Sequence, residues 1–119
     1  MTTTHHGPMT ESTVLASVRY ALNRRADCRA YRNNVGALQD KTGRWVQYGL
    51  AVGSSDLIGW TVRNGVAVFT SIEVKAQRGR LTPEQSNWLR VVTEAGGVAG
   101  CVRSADEAVA LIEGVQGGS

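Results

Sequence analysis

Apolar residues at Val14, Leu15, Val18 and Leu22 recur with the spacing of one helical face, which predicts an amphipathic helix over 10–25. Carried back towards the N-terminus, the same stripe lands on Glu11. From residue 28 the period shortens. "CRAYRNNVGAL" at 28–38 alternates loosely and predicts a strand that runs into a bend at Asn33-Asn34. "DKTG" at 40–43 is turn chemistry, and "RWVQY" at 44–48 reads as the second strand of that hairpin. After the loop "GLAVGSS", a second hairpin is centred on Asn64-Gly65, the strongest short-range signal for a type I′ turn because both central positions need positive φ. "AQRGR" at 76–80 then leads into a helix with concordant signals: Thr82 as N-cap, Pro83 at the first position, Gln85 completing a capping box, and Gly96 or Gly97 as the stop. "VAGCV" at 98–102 predicts a buried strand, and Ser104 with Glu107 caps a last helix reaching about Gly114. Helix, three or four strands, helix, strand, helix describes an α/β fold with a mixed β-sheet flanked by helices.

The chain of 119 residues has room for one domain, expected at 10–114 between flexible tails at 1–9 and 115–119. No apolar run approaches the roughly 20 residues of a membrane span, and no secretory pattern opens the chain, so a soluble intracellular protein is expected. Cys28 and Cys101 both fall in predicted strands without the partners of a zinc site, and buried free thiols are expected. His5 and His6 lie in the N-terminal tail and are not read as a metal site. The formal net charge is +3, and eleven of the thirteen basic residues are Arg. That suits a polyanionic partner, since guanidinium binds phosphate bidentately, but it also describes an ordinary solvated surface.

The second hairpin carries the candidate chemistry. A two-residue turn at Asn64-Gly65 sets Asp56 directly opposite Glu73, where like charges destabilise a sheet. Alternation puts Lys75 on the same face as Glu73. Two close carboxylates need a shared proton or a divalent cation between them, and magnesium is the natural filler beside a phosphate substrate. Lys75 stands out in a chain that otherwise uses Arg almost throughout. It offers a compact charge able to orient a water or a transition state; the competing reading is a solvated Glu-Lys pair. Gln85 lies on the apolar stripe of its helix with Trp88, Leu89 and Val92, which argues for an inward-facing amide; its capping role competes. Glu11 holds the equivalent place on the first helix, where favourable interaction with the helix dipole competes with a catalytic role. Arg78 and Arg80, and Arg32 with Asn33 and Asn34, are candidate nucleic-acid contacts. Trp45, Tyr48 and Trp60 offer stacking surfaces but are read as structural, because Trp is more often core than platform.

These pieces together resemble the PD-(D/E)xK nuclease superfamily and, within it, the small stand-alone branch of the VRR-NUC (virus-type replication-repair nuclease) family. The matching stretches are "YRNNVGA" at 31–37, "GSSDLIG" at 53–59, "IEVKAQRGRLTPEQ" at 72–85 and "GGVAGCVRS" at 96–104, within a likeness covering about residues 11–113. The Pro that usually precedes the Asp of such nucleases is Ser55 here. The resemblance implies a restriction-endonuclease-like core in which Asp56, Glu73 and the Val74 main-chain carbonyl bind Mg2+, with Mn2+ able to substitute. It also implies Lys75 as the catalytic lysine, Gln85 as the accessory polar residue and Glu11 as the acidic residue of the first helix. The implied activity is a metal-dependent DNA endonuclease leaving a 5′-phosphate and a 3′-hydroxyl. Branched DNA such as a four-way junction is the implied substrate, a homodimer the implied assembly, and the cytoplasm of a bacterial or phage-infected cell the implied setting. A helicase or replication partner is compatible with it. Residues 39–55 are expected to shape substrate choice. A non-cleaving DNA-binding module and a sequence-specific restriction-type nuclease are the alternatives.

Overall fold

The structure, a computed structural model, describes residues 9–114. Of the expected tails it covers Met9 alone; the rest, including His5 and His6, lies outside the described residues. Helix α1 (Glu11–Asn23) is followed by β1 (Cys28–Arg32), β2 (Gly36–Gln39), β3 (Trp45–Tyr48), β4 (Leu57–Arg63) and β5 (Val66–Val74). Then come α2 (Pro83–Glu94), β6 (Val98–Val102) and α3 (Ala105–Glu113). Each helix starts where a side chain satisfies the free N–H groups of a first turn. The hydroxyls of Thr10, Thr82 and Ser104 accept from the backbone N–H of Thr13, Gln85 and Glu107 respectively.

The main sheet has the order β1-β4-β5-β6. Its β5–β6 pair is parallel and its other pairs are antiparallel, giving the expected mixed sheet. Strand alternation sends Leu57, Ile72, Val74, Val98 and Val102 to one face, where they form the core with Val14, Val18 and Leu22 of α1 and Ala108 and Ile112 of α3. The other face of β5 belongs to α2: Trp88 Nε1 donates to Ser71 Oγ at 2.7 Å, and Gln85 Nε2 donates to Glu73 Oε2 at 3.1 Å. The sheet therefore separates α1 and α3 from the face that carries Glu73.

The expected register is present. Asn64 and Gly65 have φ of 54° and 75°, as a type I′ turn requires, and the ladder runs from Arg63↔Val66 to Leu57↔Ile72. Asp56 lies one residue beyond that last pair, across from Glu73.

Three expectations are corrected. Segment 28–38 is not one strand: β1 pairs with β4, whereas β2 and β3 form a separate two-stranded sheet, so five strands precede α2. Asn33 causes the break. Its N–H donates to the Asp56 carbonyl at 2.7 Å, and its side-chain amide donates to Ser54 Oγ at 2.9 Å and the Ser55 carbonyl at 2.8 Å. The chain is turned out of the main sheet at that point. Secondly, the aromatics read as structural are exposed: Trp45 by 69%, Tyr48 by 45% and Trp60 by 39%. The first two sit on a hairpin paired only with itself, and α2 lies over β5 and β6, leaving the β4 side of that face open. Trp60 leans on Tyr31 at 6.0 Å between ring centroids. Thirdly, both cysteines are free, but only Cys28 is fully buried; Cys101, on the face shared with Glu73, is half-buried. Burial raises the pKa of both thiols. No described helix is long and apolar enough to cross a membrane.

Candidate active site

The carboxyl ends of the parallel pair β5–β6 and the start of β4 converge beneath the first turn of α2. Glu73 occupies the last full turn of the β5 pleat facing α2, and its side chain is only 3% exposed. Its Oε2 lies 3.4 Å from Lys75 Nζ and accepts from Gln85 Nε2 at 3.1 Å. Gln85 performs both roles weighed for it, because its Oε1 also accepts from the Thr82 N–H at 2.9 Å. Asp56 is aimed by the backbone: its Oδ2 accepts from the Val74 N–H at 2.8 Å, and Arg32 Nη1 lies 3.3 Å from Oδ1. In an extended strand the N–H and C=O of one residue point to the same side, so the Val74 carbonyl faces the Asp56 side too.

Burial, and after it the charge of Asp56, push the Glu73 carboxyl up from 4.5 to about 7, while Lys75 pulls it back. The two carboxyl groups stand close enough to share a hydrogen bond when one is protonated. This is an excess of negative charge held out of water, which a hard cation would relieve. Two carboxylate oxygens and a main-chain carbonyl are oxygen donors of the type magnesium takes, with further positions left to water and phosphate. The residues present fit such an ion.

The site opens into a cavity of about 420 Å³, whose lining includes Arg32, Asn33, Asn34, Tyr48, Asp56, Glu73 and Gln85. A family model of the VRR-NUC domain matches residues 9–106, most of the chain. The chain belongs to the VRR-NUC domain family. No curated protein and no solved structure matches it. Membership assigns a nuclease-type, DNA-processing function on a PD-(D/E)xK-like fold, in a family that generally depends on a divalent metal.

Within this VRR-NUC domain the candidate residues fall into separate groups. Asp56, Glu73, Lys75 and Gln85 come together. Glu11 does not: it is exposed at the first turn of α1, the helix packed on the opposite face of the sheet. Among the described residues no three His, Cys, Asp or Glu side chains are grouped to hold a metal. The stripe through Val14, Val18 and Leu22 does pass through Glu11, but the helix has only begun there, so the inward direction expected from the pattern is lost.

The basic and amide candidates also divide. Arg32 and Asn34 line the cavity with Asp56. Asn33 lines it as well, yet both of its amide hydrogens are engaged by Ser54 and Ser55, and its Oδ1 accepts from the Leu50 N–H at 3.3 Å. It acts as a clasp between the two stems of β2–β3. Arg78 and Arg80 border a second cavity of about 430 Å³ together with Arg103. Between the two regions the backbone of Gly79 lies against the Lys75 stem; an added Cβ would come within 3.3 Å of Lys75 Cβ and Cδ.

Sequence reasoning missed Arg103 and Gly53. Arg103 Nη1 donates to the Ala76 carbonyl at 2.6 Å and holds the loop that follows Lys75. The signal was its place just after a strand parallel to β5, since ligand sites gather at the carboxyl ends of parallel strands. Gly53 has φ of +87°, and a Cβ there would come within 2.6 Å of the Glu84 carbonyl, so only glycine lets this loop meet the start of α2. That closes one wall of the cavity.

Proposed function

We propose that this nuclease domain is a magnesium-dependent DNA endonuclease hydrolysing phosphodiester bonds at the Asp56–Glu73 site. One observation carries the reading: a buried glutamate and a backbone-aimed aspartate face each other at the head of a cavity, with a lysine 3.4 Å from the glutamate. A pure DNA binder gains nothing from two carboxylates turned towards phosphate. Asp56, Glu73 and the Val74 carbonyl would hold Mg2+, or Mn2+ in its place. Once bound, the ion supplies Lewis acidity and a template for phosphate and water.

The chain's own groups do the rest. Gln85 fixes the Glu73 carboxylate from the helix side while its carbonyl is held by the Thr82 N–H. The Val74 N–H orients Asp56. Lys75 places a positive charge where the attacking water and the scissile phosphate meet, and its stem, packed under Gly79, limits its rotamers. Arg32 neutralises Asp56 before substrate arrives and is free to turn to a phosphate oxygen afterwards. Glu11 is given no part in this reading: it is exposed, and among the described residues no group of three metal-ligating side chains includes it.

The test is cleavage of labelled four-way junction, fork and linear duplex, with magnesium or chelator, by wild type and Glu73→Ala. Magnesium-dependent cutting lost in the variant is the expected result. Preference for the junction, with a dimeric mass in sedimentation, is expected from family kinship. Tight DNA binding without cutting in either metal would overturn the reading in favour of a binding module. Cutting of linear duplex at one sequence would instead make this a restriction-type enzyme.

A further inference from the structure

The β2–β3 hairpin contributes nothing to the core. Every residue from 37 to 52 is exposed, and the two strands pair only with each other. An isolated two-stranded hairpin is marginal in water, so its retention as an ordered projection calls for a reason outside the fold. Its root supplies one: Asn34 and Tyr48 wall the same cavity as Asp56 and Glu73, and Asn33 clasps both stems there. The projection starts at the candidate active site and leads away from it.

Its far end has the chemistry of a phosphate grip. Lys41 and Arg44 flank the turn, and neither enters an ion pair among the described residues. The nearby acid is engaged by the turn itself: Asp40 Oδ1 accepts from the Thr42 N–H at 2.8 Å, the Thr42 hydroxyl at 2.6 Å and the Arg44 N–H at 3.0 Å. Asp40 therefore builds the turn, and the exposed tip carries two cations against that one carboxylate. Next to it Trp45 is 69% exposed, the highest value among the large apolar side chains described. It pairs across the ladder with Gln39, on the face that Gln47 shares. A bare aromatic between amide groups and two cations is the combination that holds nucleic acid by stacking and phosphate contact. From Tyr48 to Arg44 the strand rises about 13 Å, which spans roughly four base pairs of duplex.

The geometry points to the β2–β3 hairpin as a DNA-binding arm, with Lys41 and Arg44 on backbone phosphates roughly four base pairs from the cut and Trp45 stacked on an unpaired base. The position of the cut rests on the nuclease reading; binding by the arm does not. Full-length wild type, Lys41→Ala/Arg44→Ala and Trp45→Ala are compared by fluorescence anisotropy in chelator at several salt concentrations, and by turnover in magnesium at saturating DNA. The double variant is expected to raise Kd at least tenfold and to reduce the salt slope by about two, one for each lost phosphate contact. Trp45→Ala is expected to weaken forked or junction DNA roughly five- to a hundredfold and fully paired duplex little. Lys41→Glu/Arg44→Glu exaggerates the charge effect without touching a buried group. Unchanged Kd and salt slope in the charge variants, with wild type binding DNA, would overturn the proposal. So would conversion of a dimer to a monomer by Trp45→Ala with unchanged affinity per chain, which would make the arm a contact between copies. Binding that depends on the arm in a wild type that never cuts would leave the arm standing and remove the nuclease reading.

Discussion

Glu73→Gln is the substitution whose effect the geometry fixes best. In the folded chain the carboxyl titrates near 7, because burial and the charge of Asp56 oppose its ionisation; its ordinary value is 4.5. Below pH 4.5 the group is protonated whether the chain is folded or not, so it imposes no penalty. Between 4.5 and about 7 the unfolded chain releases the proton while the folded chain keeps it, and stability falls as pH rises. Above about 7 both states are ionised and the penalty is constant. At 1.36 kcal/mol per pKa unit, the shift corresponds to about 3 kcal/mol lost across that window. Gln has the shape of the protonated acid: it can still accept from Gln85 and Lys75 while donating to Asp56, and it does not ionise. Urea denaturation at pH 4.5 and pH 8 should therefore give variant and wild type equal stability at the lower pH, and the variant an advantage approaching 3 kcal/mol at the higher. Millimolar Mg2+ should raise the wild-type midpoint at pH 8 and leave the variant nearly unmoved. A variant destabilised equally at both pH values would refute the reasoning, since Glu73 would then be an ordinary partner in a hydrogen-bonded pair.

Further predictions follow from the walls of the site. Ser55 is fully buried and its hydroxyl alone among the described buried side-chain polar atoms has no partner, so Ser55→Ala should stabilise by about 1 kcal/mol; a lower Tm in calorimetry would contradict this. Asn33→Ala removes the clasp and should cost about 2 kcal/mol, with hydrogen exchange accelerated in β2 and β3 but unchanged in β4 and β5. Gly53→Ala should cost about 2 kcal/mol from its positive φ alone, before the contact with Glu84, and chemical denaturation will read it. Lys75→Arg should not rescue cleavage lost in Lys75→Ala, because a longer, planar guanidinium spreads its charge over a fork and does not reproduce a compact ammonium 3.4 Å from Glu73 Oε2; single-turnover rates decide.

How much of this was legible depended on whether a local rule or a tertiary one set the outcome. The pairing of Asp56 with Glu73 followed from Asn64-Gly65, because a two-residue turn and a side-chain period of two leave one register. Thr82 and Gln85 announced the start of α2 by hydrogen bonds made within four residues. The break at Asn33 was visible only as a bend, since the partners that cause it, Ser54 and Ser55, lie more than twenty positions away. Exposure of Trp45 and Tyr48 could not be read from their alternation, which is the same in a paired sheet and in a free arm. The exposure of Glu11 was not legible either, because a stripe gives angle around a helix and not how far its first turn reaches past the sheet. Arg103 was hidden until β6 was known to lie beside β5.

The Asn64-Gly65 turn has a practical use for anyone who must label or rewire this molecule. It is exposed, and it lies eight strand residues from Glu73, about 26 Å along β5. Loop tips of this kind tolerate insertion and circular permutation. A fluorophore, an affinity handle or a pair of new chain ends placed there reports on the protein from the end opposite its carboxylates.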